Sequence, residues 1–208
     1  MSGLGAEAYR VQAGAELGHL LSWLGPEDTL RGMFFRSLQD AMLTLLGEAA
    51  MEACLEECTG ERDFVDFFAY PAVDFLRMVR RAAWLMEERG CGGEETLRML
   101  GHLGTAAFLK SPVGRAMDVL SSGTPRRVLE NLPMAYQVLS PKGGPLAVTT
   151  LGPTRARVTF SRDVLPCAYL EGLLEALLKK AGARGVRIEG RRVGPFISEY
   201  LLSWTEGD

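Results

Sequence analysis

Two hydrophobic rhythms divide this 208-residue chain. As far as about residue 132, apolar side chains recur every three or four positions, the spacing that gathers them on one face of a helix. Leu17, Leu20, Leu21 and Leu24, with Trp23 beside them, predict a short amphipathic helix that Gly25-Pro26 ends. Leu30, Met33, Phe34, Leu38, Met42, Leu45 and Leu46 predict a long helix from Thr29 to Leu46, with Glu27-Asp28-Thr29 as its N-cap. Further helices are expected over Glu48–Cys58, Pro71–Glu88, Glu94–Leu109, Pro112–Leu120 and Pro125–Leu132, separated by Thr59-Gly60, a Phe-rich stretch over 61–69, Gly90 to Gly93 and Ser121-Ser122-Gly123.

Pro133 marks the change of rhythm. Tyr136–Leu139, Leu146–Leu151, Arg155–Phe160, Val186–Arg192 and Tyr200–Trp204 read as strands, with one apolar helix from Tyr169 to Ala181 set among them. Helices followed by strands predict an α+β fold, an N-terminal helical layer packed on a C-terminal antiparallel sheet of four to five strands. The expected division is an N-terminal appendage over 1–27, a single domain over 28–204 with a helical part (28–132) and a sheet part (133–204), and a tail over 205–208.

Composition narrows the function classes. The 47% apolar and 24% charged content is that of an ordinary globular protein with a substantial core. A net charge of −3 gives no electrostatic case for nucleic acid or an anionic membrane as the main partner. No run approaches the ~20 apolar residues of a membrane span, and the N-terminus lacks a signal-peptide pattern. Four cysteines, Cys54, Cys58, Cys91 and Cys167, match no disulfide framework, so a reduced, cytoplasmic protein is expected.

Candidate chemistry is sparse. Of the two histidines, His102 has no Asp, Glu or Cys three or four residues on, and His19 has Glu16 three residues before it, a helix-face contact at most. Cys54 and Cys58, four residues apart, share a helix face and read as core thiols, with a zinc site including Cys91 as the minority alternative. Cys167 begins a helix after Pro166, where the helix dipole would lower a thiol pKa, yet no general base is evident beside it. What remains is apolar: the aromatics of the helical half are core or the lining of a cavity between helices and sheet. The expected lining is Phe34, Phe68, Phe75, Trp84 and Phe108, with Arg31 at its edge.

Asp28-Thr29-Leu30-Arg31-Gly32-Met33-Phe34-Phe35, Leu151-Gly152-Pro153 ahead of an alternating strand, and Tyr200 to Ser203-Trp204 resemble the motifs of a paralogous family of myxobacterial proteins with a domain of unknown function. Leu30-Arg31-Gly32-Met33-Phe34-Phe35, with Leu170-Glu171-Gly172-Leu173-Leu174 and Val186-Arg187-Ile188-Glu189, also resembles the heme–nitric-oxide-binding (H-NOX) domain, vinyl-reductase-type domains and TRAPP vesicle-transport subunits. The resemblance covers residues 28 to 204 and implies an H-NOX-like ligand-binding fold. Its functional residues are not matched. H-NOX domains hold heme through a histidine late in the helical half, and Ala116 to Leu132 contains none. The segment similar to their Tyr-x-Ser-x-Arg strand reads Phe160-Ser161-Arg162-Asp163-Val164, and Cys167 is alone where vinyl-reductase-type domains carry paired cysteines.

The expectation is a non-catalytic cytoplasmic sensor or adaptor without heme, metal or other cofactor, binding a small apolar ligand, a protein partner or a second copy of itself. The alternatives are a pure interaction module with a packed core and, more remotely, an enzyme using Cys167.

Overall fold

The computed structural model describes residues 14–60, 62–121 and 123–205. Helix α1 covers residues 14–23, and its Leu17 and Leu20 are buried in the main core, so the described part of the N-terminal region packs against the rest. Strand β1 (Thr29–Arg31) leads into α2 (Gly32–Leu46) and α3 (Glu48–Leu55); β2 (Ala69–Pro71) leads into α4 (Ala72–Glu87), α5 (Gly93–Lys110), α6 (Pro112–Ser121) and α7 (Pro125–Leu139). The C-terminal part is β3 (Leu146–Gly152), β4 (Arg155–Phe160), α8 (Cys167–Lys180), β5 (Arg184–Gly194) and β6 (Ile197–Thr205).

β1 and β2 form a small antiparallel ladder, Leu30 opposite Tyr70. Of the predicted N-cap stretch, Glu27 is in a turn, Asp28 precedes the strand and Thr29 opens β1, and α2 begins at Gly32. The Asp-Thr-x-Arg-Gly motif has another physical basis. The buried Asp28 carboxylate accepts from the Gly25 N–H at 3.0 Å and from Arg162 Nε at 3.1 Å. Gly32 lies so close to the Val65 carbonyl that a Cβ would stand 2.1 Å from it. Pro71 closes β2 rather than opening the next helix, which begins one residue later.

The second sheet has four antiparallel strands in the order β3-β4-β6-β5, with Val148 opposite Val158 and Val158 opposite Tyr200. Alternation sends Ala156, Val158, Phe160, Ser198, Tyr200, Leu202 and Trp204 inward beneath α8 and leaves Arg155 and Arg157 outside. α8 ends in a turn through Gly182 at φ 89°, where the Ala183 N–H reaches back to the Leu178 carbonyl at 3.0 Å.

The expected strand Tyr136–Leu139 is a correction: these residues are the last turn of α7, which runs through Pro133. Proline forfeits one helical hydrogen bond. Leu129, Leu132 and Tyr136 keep helical spacing, and all three pack on the sheet-side core, which holds the helix together across it.

Two hydrophobic clusters result. In the helical cluster Phe35 stacks on Phe64 at 4.4 Å and meets Phe75 edge-on at 5.3 Å. The sheet cluster centres on Val158, Leu174, Leu178, Tyr200 and Leu202. The Phe75–Tyr169 contact, 5.7 Å between ring centres, joins the helical layer to α8.

A candidate ligand cavity between the helical layer and the sheet

The layers do not close completely. A cavity of about 320 Å³ lies between α2, α5 and α7 on one side and β3, β4 and α8 on the other. That volume is within the range of small-molecule sites. α8 and its C-cap contribute from Tyr169 to Ala181, so the wall extends about 18 Å along that helix at 1.5 Å per residue. The surface is mainly apolar: Leu30, Phe34, Phe75, Phe108, Leu132, Leu139, Leu146, Phe160, Leu170, Leu173, Leu174 and Leu177.

Of the residues expected to line a cavity, Phe34, Phe75 and Phe108 do so, and Phe34 and Phe108 stack at 6.2 Å. The other three stand elsewhere. Phe68, 64% exposed, is in the loop before β2, where its carbonyl accepts the Gly32 N–H. Trp84 lies outside the buried arc of α4, beneath the Arg81 guanidinium at 4.3 Å. Arg31 sits over the Phe67 ring at 5.5 Å, a cation–π contact at the surface loop.

Sequence reasoning missed the α7 wall, Leu132, Ala135, Tyr136 and Leu139, because Pro133 was read as a boundary; the i, i+3, i+4 spacing was the available signal. It also missed the buried polar groups on the wall: Ser37, Thr105, Asp163 and Tyr169.

Asp163 is fully enclosed. Its carboxylate accepts from the Ser198 hydroxyl, the Tyr200 hydroxyl at 3.0 Å and the Leu165 N–H at 2.9 Å. Burial nonetheless raises its pKa above the usual carboxylate range, against the opposing pull of Arg192 and these donors. Arg192 donates to the carbonyls of Asp163 and Leu165 at 3.1 and 2.7 Å and to Glu16 at 3.0 Å. Glu16 also accepts the first N–H of α8, from Cys167, at 3.1 Å. One guanidinium and one carboxylate thereby fix α1, the start of α8 and the end of β5 together.

The same contact corrects the expectation for Cys167. Burial raises its thiol pKa, and the Glu16 carboxylate raises it further, outweighing any lowering by the helix terminus. Burial also pushes Cys54 and Cys58 up to about 11. Among the described residues no group of three or more His, Cys, Asp or Glu is placed to hold a metal ion. His19 stacks on Trp23 at 5.7 Å, and His102 Nδ1 is 3.4 Å from Glu175; neither is on the cavity wall.

A family model described as a protein of unknown function (DUF2378) matches residues 24–205. No curated protein matches the chain. Solved structures that it resembles are H-NOX domains. The Fe(II) unliganded H-NOX protein from K. algicida is 10% identical, with 86% of this chain and 98% of that one covered and a TM-score of 0.66. An H-NOX protein from S. oneidensis in the Fe(II) ligation state is 14% identical over 86% and 98%, at 0.67. An oxygen-binding H-NOX domain related to soluble guanylate cyclases is 14% identical over 85% and 96%, at 0.65. At these identities the likeness is one of fold.

Proposed function

The chain belongs to the DUF2378 family and has an H-NOX-like fold, and from that premise we propose that it is a non-catalytic sensor or adaptor domain that binds a small apolar ligand without heme. The carrying observation is the cavity of about 320 Å³ between the two layers, walled mainly by Leu and Phe side chains. Apolar surface that stays unfilled by protein gains free energy when an apolar molecule replaces water there, at roughly 25 cal/mol per Å² buried.

The wall does not fit a heme. Iron in heme is held axially by His, Cys, Met or Tyr. The described lining offers no imidazole, thiol or thioether, and its phenols, Tyr136 and Tyr169, are held protonated by burial. The chemistry of the side chains argues against catalysis as well. Cys167 is held as a thiol, and the Asp163 carboxylate is engaged by three donors. An open cavity favours the ligand role over a packed interaction module. A cytoplasmic location and a protein partner or second copy that reads the ligand state complete the proposal; no helix among the described residues is long and apolar enough to cross a membrane.

Native mass spectrometry with an absorbance scan of freshly purified protein tests it. A discrete added mass without colour is expected. A Soret band overturns the heme-free reading, and a bare mass together with no binding of an apolar dye overturns the pocket. Light scattering reports whether a second copy is the partner.

A further inference from the structure

Four buried polar side chains face the cavity, and two are engaged: Ser37 donates to the Met33 carbonyl at 2.8 Å, and Asp163 is enclosed by its donors. Thr105 and Tyr169 differ. They are 7% and 5% exposed, both are on the wall, and neither hydroxyl is engaged in a hydrogen bond to another described residue. The Tyr169 hydroxyl abuts the lining residue Gly104, next in sequence to Thr105; a Cβ on Gly104 would stand 3.2 Å from that oxygen. No sealed side-chain N or O atom among the described residues lacks a partner, so these two hydroxyls are open to the cavity, where a polar group of an occupant can bond them.

We propose that Thr105 and Tyr169 form the head-group subsite of the cavity, and that its occupant is a neutral, chiefly hydrocarbon molecule bearing one carbonyl or hydroxyl group. This rests on the reading of the cavity as a ligand site and names the ligand's chemistry. Both hydroxyls can donate to a carbonyl oxygen or exchange bonds with an alcohol. The environment of Tyr169 selects neutrality: burial alone raises its pKa, with no charged neighbour contributing, so a carboxylate would lie there without a counter-ion. Lys180, the cation on the wall, is eleven residues along α8, about 16 Å away by helical rise. The hydrocarbon part then lies along Leu173, Leu174 and Leu177, toward that far end.

The test uses the full chain and displacement of the neutral dye N-phenyl-1-naphthylamine by 2-nonanone, n-nonane and nonanoate. 2-Nonanone is expected to bind about threefold to tenfold more tightly than n-nonane, the worth of one or two hydrogen bonds. Tyr169→Phe, which keeps the ring and removes only the oxygen, should erase that ratio; Thr105→Val should reduce it. Equal ketone and alkane affinities in the wild type, or a ratio that survives both substitutions, overturn the subsite and leave the apolar cavity standing. A nonanoate preference untouched by Tyr169→Phe places the head elsewhere and also overturns it. No binding of dye or probes removes the cavity reading and the subsite with it.

Discussion

The carbonyl oxygen of Tyr169 occupies the space where a side chain on Gly101 would begin: a Cβ there would lie 1.9 Å from it. The contact is reciprocal, since a Cβ on Gly172 would lie 2.0 Å from the Arg98 carbonyl. α5 and α8 thus touch backbone to backbone, and Arg98 bonds Glu171 beside the crossing at 2.7 Å. That crossing fixes how far α8 stands from the helical layer, and so the width of the cavity.

Gly101→Ala and Gly172→Ala should each destabilise the fold by about 3 kcal/mol through overpacking, a fall in Tm of about 6–12 °C for a chain of this size. Gly18→Ala, where nothing lies within 4 Å of the new Cβ, should instead raise stability by about 0.5–1 kcal/mol. Thermal denaturation of the three variants checks both directions.

The Arg192–Glu16 pair should be energetically coupled. Arg192→Lys keeps the charge and loses the fork that reaches Glu16 and two carbonyls at once. A double-mutant cycle with Glu16→Gln should give a coupling of about 1.5–3 kcal/mol. Hydrogen exchange should show residues 14–23 losing protection before the sheet does.

The raised pKa values of Cys54 and Cys58 set a direction with pH. Unfolded thiols ionise near 9.0 while the folded ones hold their protons to about 11. The folded state therefore binds more protons across that window, and stability falls as pH rises through it. Urea denaturation at pH 8, 9 and 10 should show progressive loss, reduced in Cys54→Ala relative to its own value at pH 8. Thiol labelling near pH 8 should reach the half-buried Cys91 well before either.

Filling the cavity from α7 separates ligand binding from folding. Ala135→Phe adds a ring at a wall position. Dye affinity should fall at least tenfold, while stability holds or rises by about 0.5–2 kcal/mol, as cavity-filling changes commonly do.

The larger architecture was legible where one segment carries its own signal. The stripe of α2, the alternation of β4 and the break after α8 each follow from local periodicity, and the α+β order followed from them. What the chain concealed depends on two segments at once. Gly101 and Gly172 inside helices read alone as weak points, because the backbone each accommodates lies 68 and 74 residues away, at Tyr169 and Arg98. Asp28 read as an N-cap because Arg162 is remote in sequence. Pro133 read as a stop because burial of Leu132 and Tyr136 on the sheet core, which outweighs one lost hydrogen bond, is a tertiary effect. Phe34, Phe75 and Phe108 emerged from aromatic density, while Tyr169 and Thr105 carried no signal until their surroundings were placed.

The α5–α8 crossing also makes the cavity mechanically lopsided. Two main chains already in contact cannot be pressed closer, so that wall is stiff. Another part of the wall is α7, a helix short of one hydrogen bond at Pro133 and packed on the sheet-side core through Leu129, Leu132 and Tyr136. The Tyr136 hydroxyl on α7 holds the Gly143 carbonyl at 3.2 Å in the loop that leads into β3, so the cavity wall and that loop are tied by one hydrogen bond. An occupant that pushes on α7 is therefore expected to register first at that surface loop.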